Sequence, residues 1–178
     1  MESKPVLIPW VRNSARMVCR PMNRTKFSEK IIIRCTAAEA FNYTQDYANR
    51  LKWDTFLKRA DLMEGASEAG LGVKAYCVAK NGLGMVTQYV SFNPPKGTAI
   101  KMTKGPWIFK SFLGSWNFKE IDNQTTEVIF LYSFDLRFPF NLVTPLIKNN
   151  LRSNVKQRLR DLKFNIERYG ATTSPKDL

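Results

Sequence analysis

The sequence predicts an α+β domain in which a curved antiparallel sheet of six to seven strands wraps one long C-terminal helix. Three observations predict it. Residues 145–169 form a single amphipathic segment, about seven helical turns long, with helix punctuation at both ends. Residues 73–138 instead alternate polar and apolar positions in short segments separated by turn residues. The order of elements (a strand, two helices, a meander, a final helix) lacks the strand-helix alternation that builds a parallel sheet.

Residues 1–24 show no sustained period, contain Pro5, Pro9 and Pro21, and read as a basic extension ahead of a domain spanning residues 25–170, with residues 171–178 as a tail. Within the domain, the β-branched run Ile31, Ile32 and Ile33 predicts a first strand. Thr36 and Glu39 have capping-box spacing, so a helix should start near Ala37, with Ala40, Phe41, Tyr43, Tyr47, Ala48 and Leu51 as its apolar contacts. A second short helix or turn is expected over residues 53–59. Strands follow over residues 73–80, 85–92, 98–103, 108–119 and 126–138. Asn81-Gly82, the run Asn93 to Gly97, Lys104-Gly105-Pro106 and Asp122-Asn123-Gln124 join them with the turn chemistry of antiparallel neighbours. In the last strand Val128, Phe130, Tyr132, Phe134, Leu136 and Phe138 share one face, which must be covered.

The C-terminal helix provides the cover. Thr144 is the expected N-cap, Pro145 the first helical residue and Gly170 the stop. At 100° per residue, Ile147, Leu151, Val155, Leu159, Leu162, Ile166 and Tyr169 form one stripe, and Arg152, Lys156, Arg160 and Lys163 form a separate basic stripe. Arg158 falls inside the apolar stripe, with Asn154 and Asn165 at its edge. The apolar stripe should lie on the face carrying Phe112, Trp116, Phe118, Phe130, Tyr132 and Phe134. Val73, Ala75, Cys77 and Ala79, small or medium in size, leave room opposite.

Composition bounds the function. The 178 residues, 44% hydrophobic and 12% aromatic, suffice for one domain with a sizeable core. No apolar run approaches the roughly 18–20 residues of a membrane span, and the first ten residues lack a secretory apolar core, so a cytoplasmic protein, peripheral at a membrane, is the expectation. Cys19, Cys35 and Cys77 are odd in number without short spacing, and histidine is absent, which argues against a disulfide framework and a zinc site; no metal or cofactor is expected. Catalysis would have to rest on Asp, Glu, Tyr, Lys, Arg or Cys, and no residue is assigned a catalytic role. The net charge of +13 is concentrated at the two ends, with six basic residues against Glu2 in residues 1–26 and eight against three acids in residues 145–178. Such polarisation suits an acidic membrane surface, nucleic acid or an acidic protein, or simply a solvated surface.

The segments Thr36-Ala37-Ala38-Glu39-Ala40-Phe41, Leu51-Lys52-Trp53-Asp54, Gly114-Ser115-Trp116-Asn117-Phe118 and Phe130-Leu131-Tyr132-Ser133-Phe134, in this order, resemble the START-like (SRPBCC) superfamily of helix-grip, Bet v 1-like proteins. Within it, residues 27–169 look most like the polyketide cyclase/dehydrase and lipid-transport group, which includes coenzyme Q-binding proteins. The resemblance implies an apolar cavity between the sheet and the last helix, holding a lipid, isoprenoid, polyketide or hormone-like ligand.

The candidate ligand-binding residues follow from placement. Tyr132, Asn154 and Arg158 are polar groups aimed at apolar surroundings, and Phe130, Phe134, Trp116 and Leu162 form the wall around them. Tyr132 could equally be a core tyrosine, and Arg158 could snorkel or pair with an acid. Asp54, Glu127 and Asp135 show no spacing for acid-base work and read as solvated or salt-bridged. Arg152, Lys156, Arg160 and Lys163 are a candidate surface for anionic headgroups, as are Arg12, Arg16, Arg20 and Arg24 if the extension folds as a helix. Nucleic acid ranks second as a partner because no stacking aromatics interleave these arginines. The readings are a carrier of a hydrophobic small molecule or lipid acting at an acidic membrane, an aromatase/cyclase or dehydratase, and a ribosome- or RNA-associated interaction protein.

Overall fold

The structure, a computed structural model, describes residues 24–169. The extension with Arg12, Arg16 and Arg20, the stop expected at Gly170 and the tail therefore lie outside the described residues. In chain order the elements are β1 (Thr25–Ile33), α1 (Ala37–Gln45), α2 (Arg50–Trp53), β2 (Leu57–Leu62), β3 (Lys74–Ala79), β4 (Gly84–Asn93), β5 (Gly97–Lys104), β6 (Phe109–Asp122), β7 (Thr125–Leu136), a 3-10 turn (Phe140–Val143) and α3 (Thr144–Tyr169). All seven strands form one curled antiparallel sheet in the order β1-β7-β6-β5-β4-β3-β2. Strands β2 to β7 are a simple meander, and β1 closes onto β7. The two helices α1 and α2 carry the chain from one edge of the sheet to the other.

Local chemistry starts the first helix where expected, but the helix ends at Gln45, so Tyr47 and Ala48 lie beyond it and Leu51, expected as one of its contacts, sits exposed in α2. The Glu39 amide donates to the Thr36 hydroxyl at 3.2 Å and the Thr36 amide donates to the Glu39 carboxylate at 2.8 Å, a complete capping box. The second helix ends earlier than residues 53–59 suggest. It covers Arg50–Trp53, and Leu57–Leu62 is a strand paired with β3, Leu57 opposite Ala79 and Leu62 opposite Ala75. The segment LKRADL has weak strand propensity, and pairing with the sheet edge overrides it. α3 also starts differently. Thr144 already has helical backbone angles and its hydroxyl donates to the Asn141 carbonyl at 2.7 Å, so the helix grows out of the preceding 3-10 turn instead of being capped by Thr144.

The register puts the large side chains on the concave face. Phe112 stands opposite Phe134, Trp116 opposite Phe130, Phe118 opposite Val128, and Phe27 of β1 opposite Tyr132. Against them α3 buries Val155, Leu159, Leu162 and Ile166, the i, i+4, i+7, i+11 positions of one stripe. Tyr169, the last position assigned to that stripe, is exposed instead, and so is Phe138, which lies beyond the end of β7. α3 lies along the edge strand β1. Glu29 of β1 receives Arg152 at 2.7 Å and Lys156 at 3.9 Å, and the Lys163 ammonium donates to the Ile32 carbonyl at 2.7 Å. An edge strand is in this way covered by a helix and by charge, which blunts edge-to-edge association.

Candidate functional site

The only charged side chains buried among the described residues are Arg50, Asp54 and Arg158, and all three meet in one cluster. Asp54 follows directly on α2, where its amide closes the helix on the Arg50 carbonyl at 3.0 Å. One turn of helix separates Arg50 from Asp54, so the Arg50 Nε reaches the Asp54 carboxylate at 3.0 Å. From the other side, Arg158 of α3 donates to Asp54 through Nη2 at 2.8 Å and through Nε at 3.2 Å. Its Nη1 donates to the Tyr132 hydroxyl at 3.0 Å. A two-pronged guanidinium-carboxylate contact of this kind fixes orientation as well as charge.

Aromatic rings surround the cluster. The Arg158 guanidinium lies 5.1 Å from the Phe130 ring centroid, 5.3 Å from Phe56 and 5.9 Å from Trp116, while that of Arg50 lies 4.6 Å from Trp53. These are cation-π distances, and they let two cations be held where water is excluded. Tyr132 gains its position from Gly114, its cross-strand neighbour on β6. A Cβ at that glycine would stand 3.1 Å from the Tyr132 ring, so a larger residue there would press on the phenol and shift it. The network extends through Arg50, which donates to the Thr44 carbonyl, to Gln45, whose amide donates to the Thr44 hydroxyl at 2.9 Å. Gln45 in turn accepts from the Tyr89 hydroxyl of β4 at 2.8 Å, and Tyr89 meets Tyr47 at 3.3 Å. A continuous polar line therefore crosses the interior from Tyr132 to Tyr89.

Ionisation follows from these contacts. Burial would push the Asp54 carboxyl up, but the Arg158 and Arg50 guanidiniums outweigh it and hold the carboxyl below its ordinary range. Burial opposes the charge on Arg158, and Asp54 more than restores it, so that residue stays a cation. Burial pushes the Tyr132, Tyr89 and Tyr47 phenols up, which keeps them protonated donors, and does the same to the Cys77 thiol facing the cluster. Two guanidiniums share one carboxylate, so the interior carries one positive charge in excess.

The residues expected at the site are distributed as follows. Tyr132 and Arg158 are in the cluster. Trp116, Phe130 and Phe134 are buried on the concave face, with Trp116 and Phe130 centroids 4.2 Å apart, and Leu162 is fully buried on α3. Asn154 is half-buried on α3 and donates to Asn150 at 3.2 Å instead of bonding to Arg158, Asp54 or Tyr132. Of the basic stripe, Arg152 and Lys156 face Glu29, Lys163 faces Ile32 and Glu167, and Arg160 donates to Gln157 at 2.7 Å. Asp54 is salt-bridged, one of the two states anticipated for it. Arg50, Gln45, Tyr47 and Tyr89 were not anticipated, although the four-residue spacing of Arg50 and Asp54 around Trp53 is a signal that could have found the first.

A groove of about 480 Å³ lies on the convex face, lined by Arg24, Lys26, Ala99, Leu113, Leu131 and Ser133. Leu113, Leu131 and Ser133 alternate with Phe112, Phe130, Tyr132 and Phe134, so this groove is separated from the polar cluster by the sheet itself. On the concave side the rings of β6 and β7 pack on one another. β3 and β4 opposite present the small pair Ala75 and Thr87, with Cys77 next to them.

The sequence profile described as polyketide cyclase/dehydrase and lipid transport matches residues 24–167. No curated protein matches the sequence. Solved structures share the fold. A START superfamily protein from Mycobacterium smegmatis is 9% identical, with a TM-score of 0.69 over 80% of this chain and 97% of that one. A protein from Thermus thermophilus is 14% identical, with a TM-score of 0.70 over 84% and 100%. The Zhui aromatase/cyclase from Streptomyces sp. R1128 is 13% identical, with a TM-score of 0.70 over 87% and 99%. With the curled sheet gripping α3 and the profile covering most of its length, the chain belongs to the polyketide cyclase/dehydrase and lipid transport family.

Proposed function

We propose that the protein binds a hydrophobic small molecule or lipid on the concave side of the sheet, with an anionic or strongly polarised carbonyl head at Arg158, Tyr132 and Arg50. The observation that carries this reading is the excess positive charge of the cluster. A buried guanidinium without a full counter-charge is costly, and a ligand carboxylate, phosphate or enolate would neutralise it. The aromatic surroundings suit an apolar body, and a few converging polar groups in such a setting orient a ligand. Delivery at an acidic membrane completes the proposal, consistent with the net charge of +13.

Organic-solvent extraction of the purified protein followed by mass spectrometry is the direct test. An apolar molecule with an acidic or carbonyl head is expected, and Arg158→Gln should lose it. An extract equally empty for both proteins, confirmed by native mass spectrometry, would remove the reading.

One observation favours a second reading, an enzyme acting on a polyketide-like chain by cyclisation or dehydration. Tyr132 is a protonated phenol fixed beside a guanidinium, and such a pair can stabilise negative charge developing on a substrate carbonyl oxygen. Turnover of a poly-β-ketone mimic that Tyr132→Phe abolishes would select this reading over simple carriage.

A further inference from the structure

The end of the domain where the β5-β6 turn meets the β7-α3 connection gathers several of the most exposed large apolar side chains among the described residues. Phe138 is 74% exposed, Leu142 73%, Leu146 70% and Trp107 63%, with Val143 beside them. They come from two segments that touch. The Trp107 and Phe140 rings meet edge to face at 6.0 Å, the Arg137 guanidinium lies 5.6 Å from the Trp107 ring, and the Arg137 amide donates to the Ile108 carbonyl at 2.9 Å. The 3-10 turn and the first turn of α3 hold the aliphatic residues in a fixed array. A contiguous cluster of this kind marks an interaction surface.

Its chemistry selects the partner. Residues 101–110 and 137–150 contain Lys101, Lys104, Lys110, Arg137 and Lys148 and no acidic residue; Lys110 faces Asp135 of β7 at 3.7 Å, which leaves Lys101, Lys104, Arg137 and Lys148 as the rim. An exposed tryptophan and phenylalanine, branched aliphatics and a lysine-arginine rim match the two layers of a bilayer surface, acyl chains beneath anionic headgroups. Trp107 and Phe138 have faces on which a base can stack, but Leu142, Val143 and Leu146, the larger part of the patch, have none, which favours acyl chains over nucleobases. Phe140, Ile147 and Ile108, directly behind the patch, pack on the core, so apolar contact runs unbroken from the exposed residues to the interior. The basic stripe of α3 is less available for this purpose, since Arg152 and Lys156 already face Glu29.

We propose that this end of the domain, Trp107 with Phe138, Leu142, Val143 and Leu146 inside a basic rim, docks on a bilayer containing anionic phospholipid. The proposal rests on the delivery part of the reading above and not on the nature of the ligand. The test is co-sedimentation of the full chain with vesicles of phosphatidylcholine plus phosphatidylserine, against phosphatidylcholine alone. Wild type should bind the mixed vesicles, salt should weaken the binding, and Leu142→Asp/Leu146→Asp should reduce it by roughly tenfold or more. Lys104→Glu/Lys148→Glu should also weaken it, whereas Arg160→Glu on the far stripe should not. Both leucines are exposed, so an unchanged melting curve is expected for the aspartate pair. Independently of any fold defect in the variants, brominated acyl chains should quench an emission component of the wild type that Trp107→Phe lacks.

Absence of binding to mixed vesicles would overturn the proposal. So would binding unaffected by the aspartate pair, or a wild-type dimer that the pair dissolves without changing vesicle binding, which would make a second copy the occupant. Extraction of the same variants separates the two readings, because loss of vesicle binding with the ligand retained supports docking and leaves the ligand reading standing.

Discussion

Asp54→Asn is the substitution from which the structure draws the largest consequence. The Asp54 side chain is completely buried and accepts from Arg50 Nε at 3.0 Å and from Arg158 Nη2 at 2.8 Å. Asparagine keeps the shape and one acceptor but removes the charge, leaving two buried guanidiniums facing each other with no anion between them. Removing one partner of a buried ion pair costs about 3–5 kcal/mol. That is a large part of the roughly 5–15 kcal/mol by which a domain is stable. With a urea slope of about 2 kcal/mol/M, the unfolding midpoint should fall by about 1.5–2.5 M without a change in slope. The pH dependence has a definite sign. A carboxyl whose folded pKa lies below its unfolded one contributes stability that is present above the unfolded value and lost as the pH falls through the folded value. The penalty of Asp54→Asn should therefore be full at neutral pH and shrink once the pH drops below the ordinary value of 3.8. Circular dichroism during urea titration at neutral and acidic pH measures both. A neutral-pH penalty below about 1 kcal/mol, the range of exposed pairs, would refute the view of Asp54 as the anion that holds the cluster.

Tyr132→Phe removes only the hydroxyl that accepts from Arg158 at 3.0 Å, so a loss of about 1.5–3 kcal/mol in the same urea assay is expected, with the aromatic packing retained. Cys35 should resist alkylation in the native protein at mildly alkaline pH, because burial, with Glu39 and Glu167 nearby, pushes its thiol up to about 11. Peptide mapping after iodoacetamide treatment, native against denatured, reads this directly.

Most of the fold was legible because it depends on period and punctuation. The alternation from Thr125 to Leu136 and the 100° stripe of α3 each identify a buried face without reference to the rest of the chain. β2 was not legible for the opposite reason. Half of its segment is charged, with only Leu57 and Ala60 buried, and it is a strand because the edge of β3 offers it hydrogen bonds. Thr144 misled for a related reason, since a threonine before a proline at a helix start is an N-cap only if the chain arrives extended, and here it arrives already turning through residues 140–143.

The site divides along the same line. Arg158 announced itself because a guanidinium inside an apolar stripe breaks a pattern. Its partner Asp54 breaks none, since an aspartate after a short helix is common and nothing local says that the sheet will close over it. The information lies in how the fold brings two residues 104 positions apart to a hydrogen-bonded distance. What the sequence could not supply is the count of charges: one arginine in an apolar setting asks for one acid, and Asp54 alone completes that pair. The four-residue spacing hints at an Arg50-Asp54 pair, but only the geometry shows that both arginines occupy the same carboxylate. The third charge turns a structural ion pair into an interior with a positive charge left over, which is why the proposed ligand carries an anionic or carbonyl head, a feature that Arg158 alone would not require.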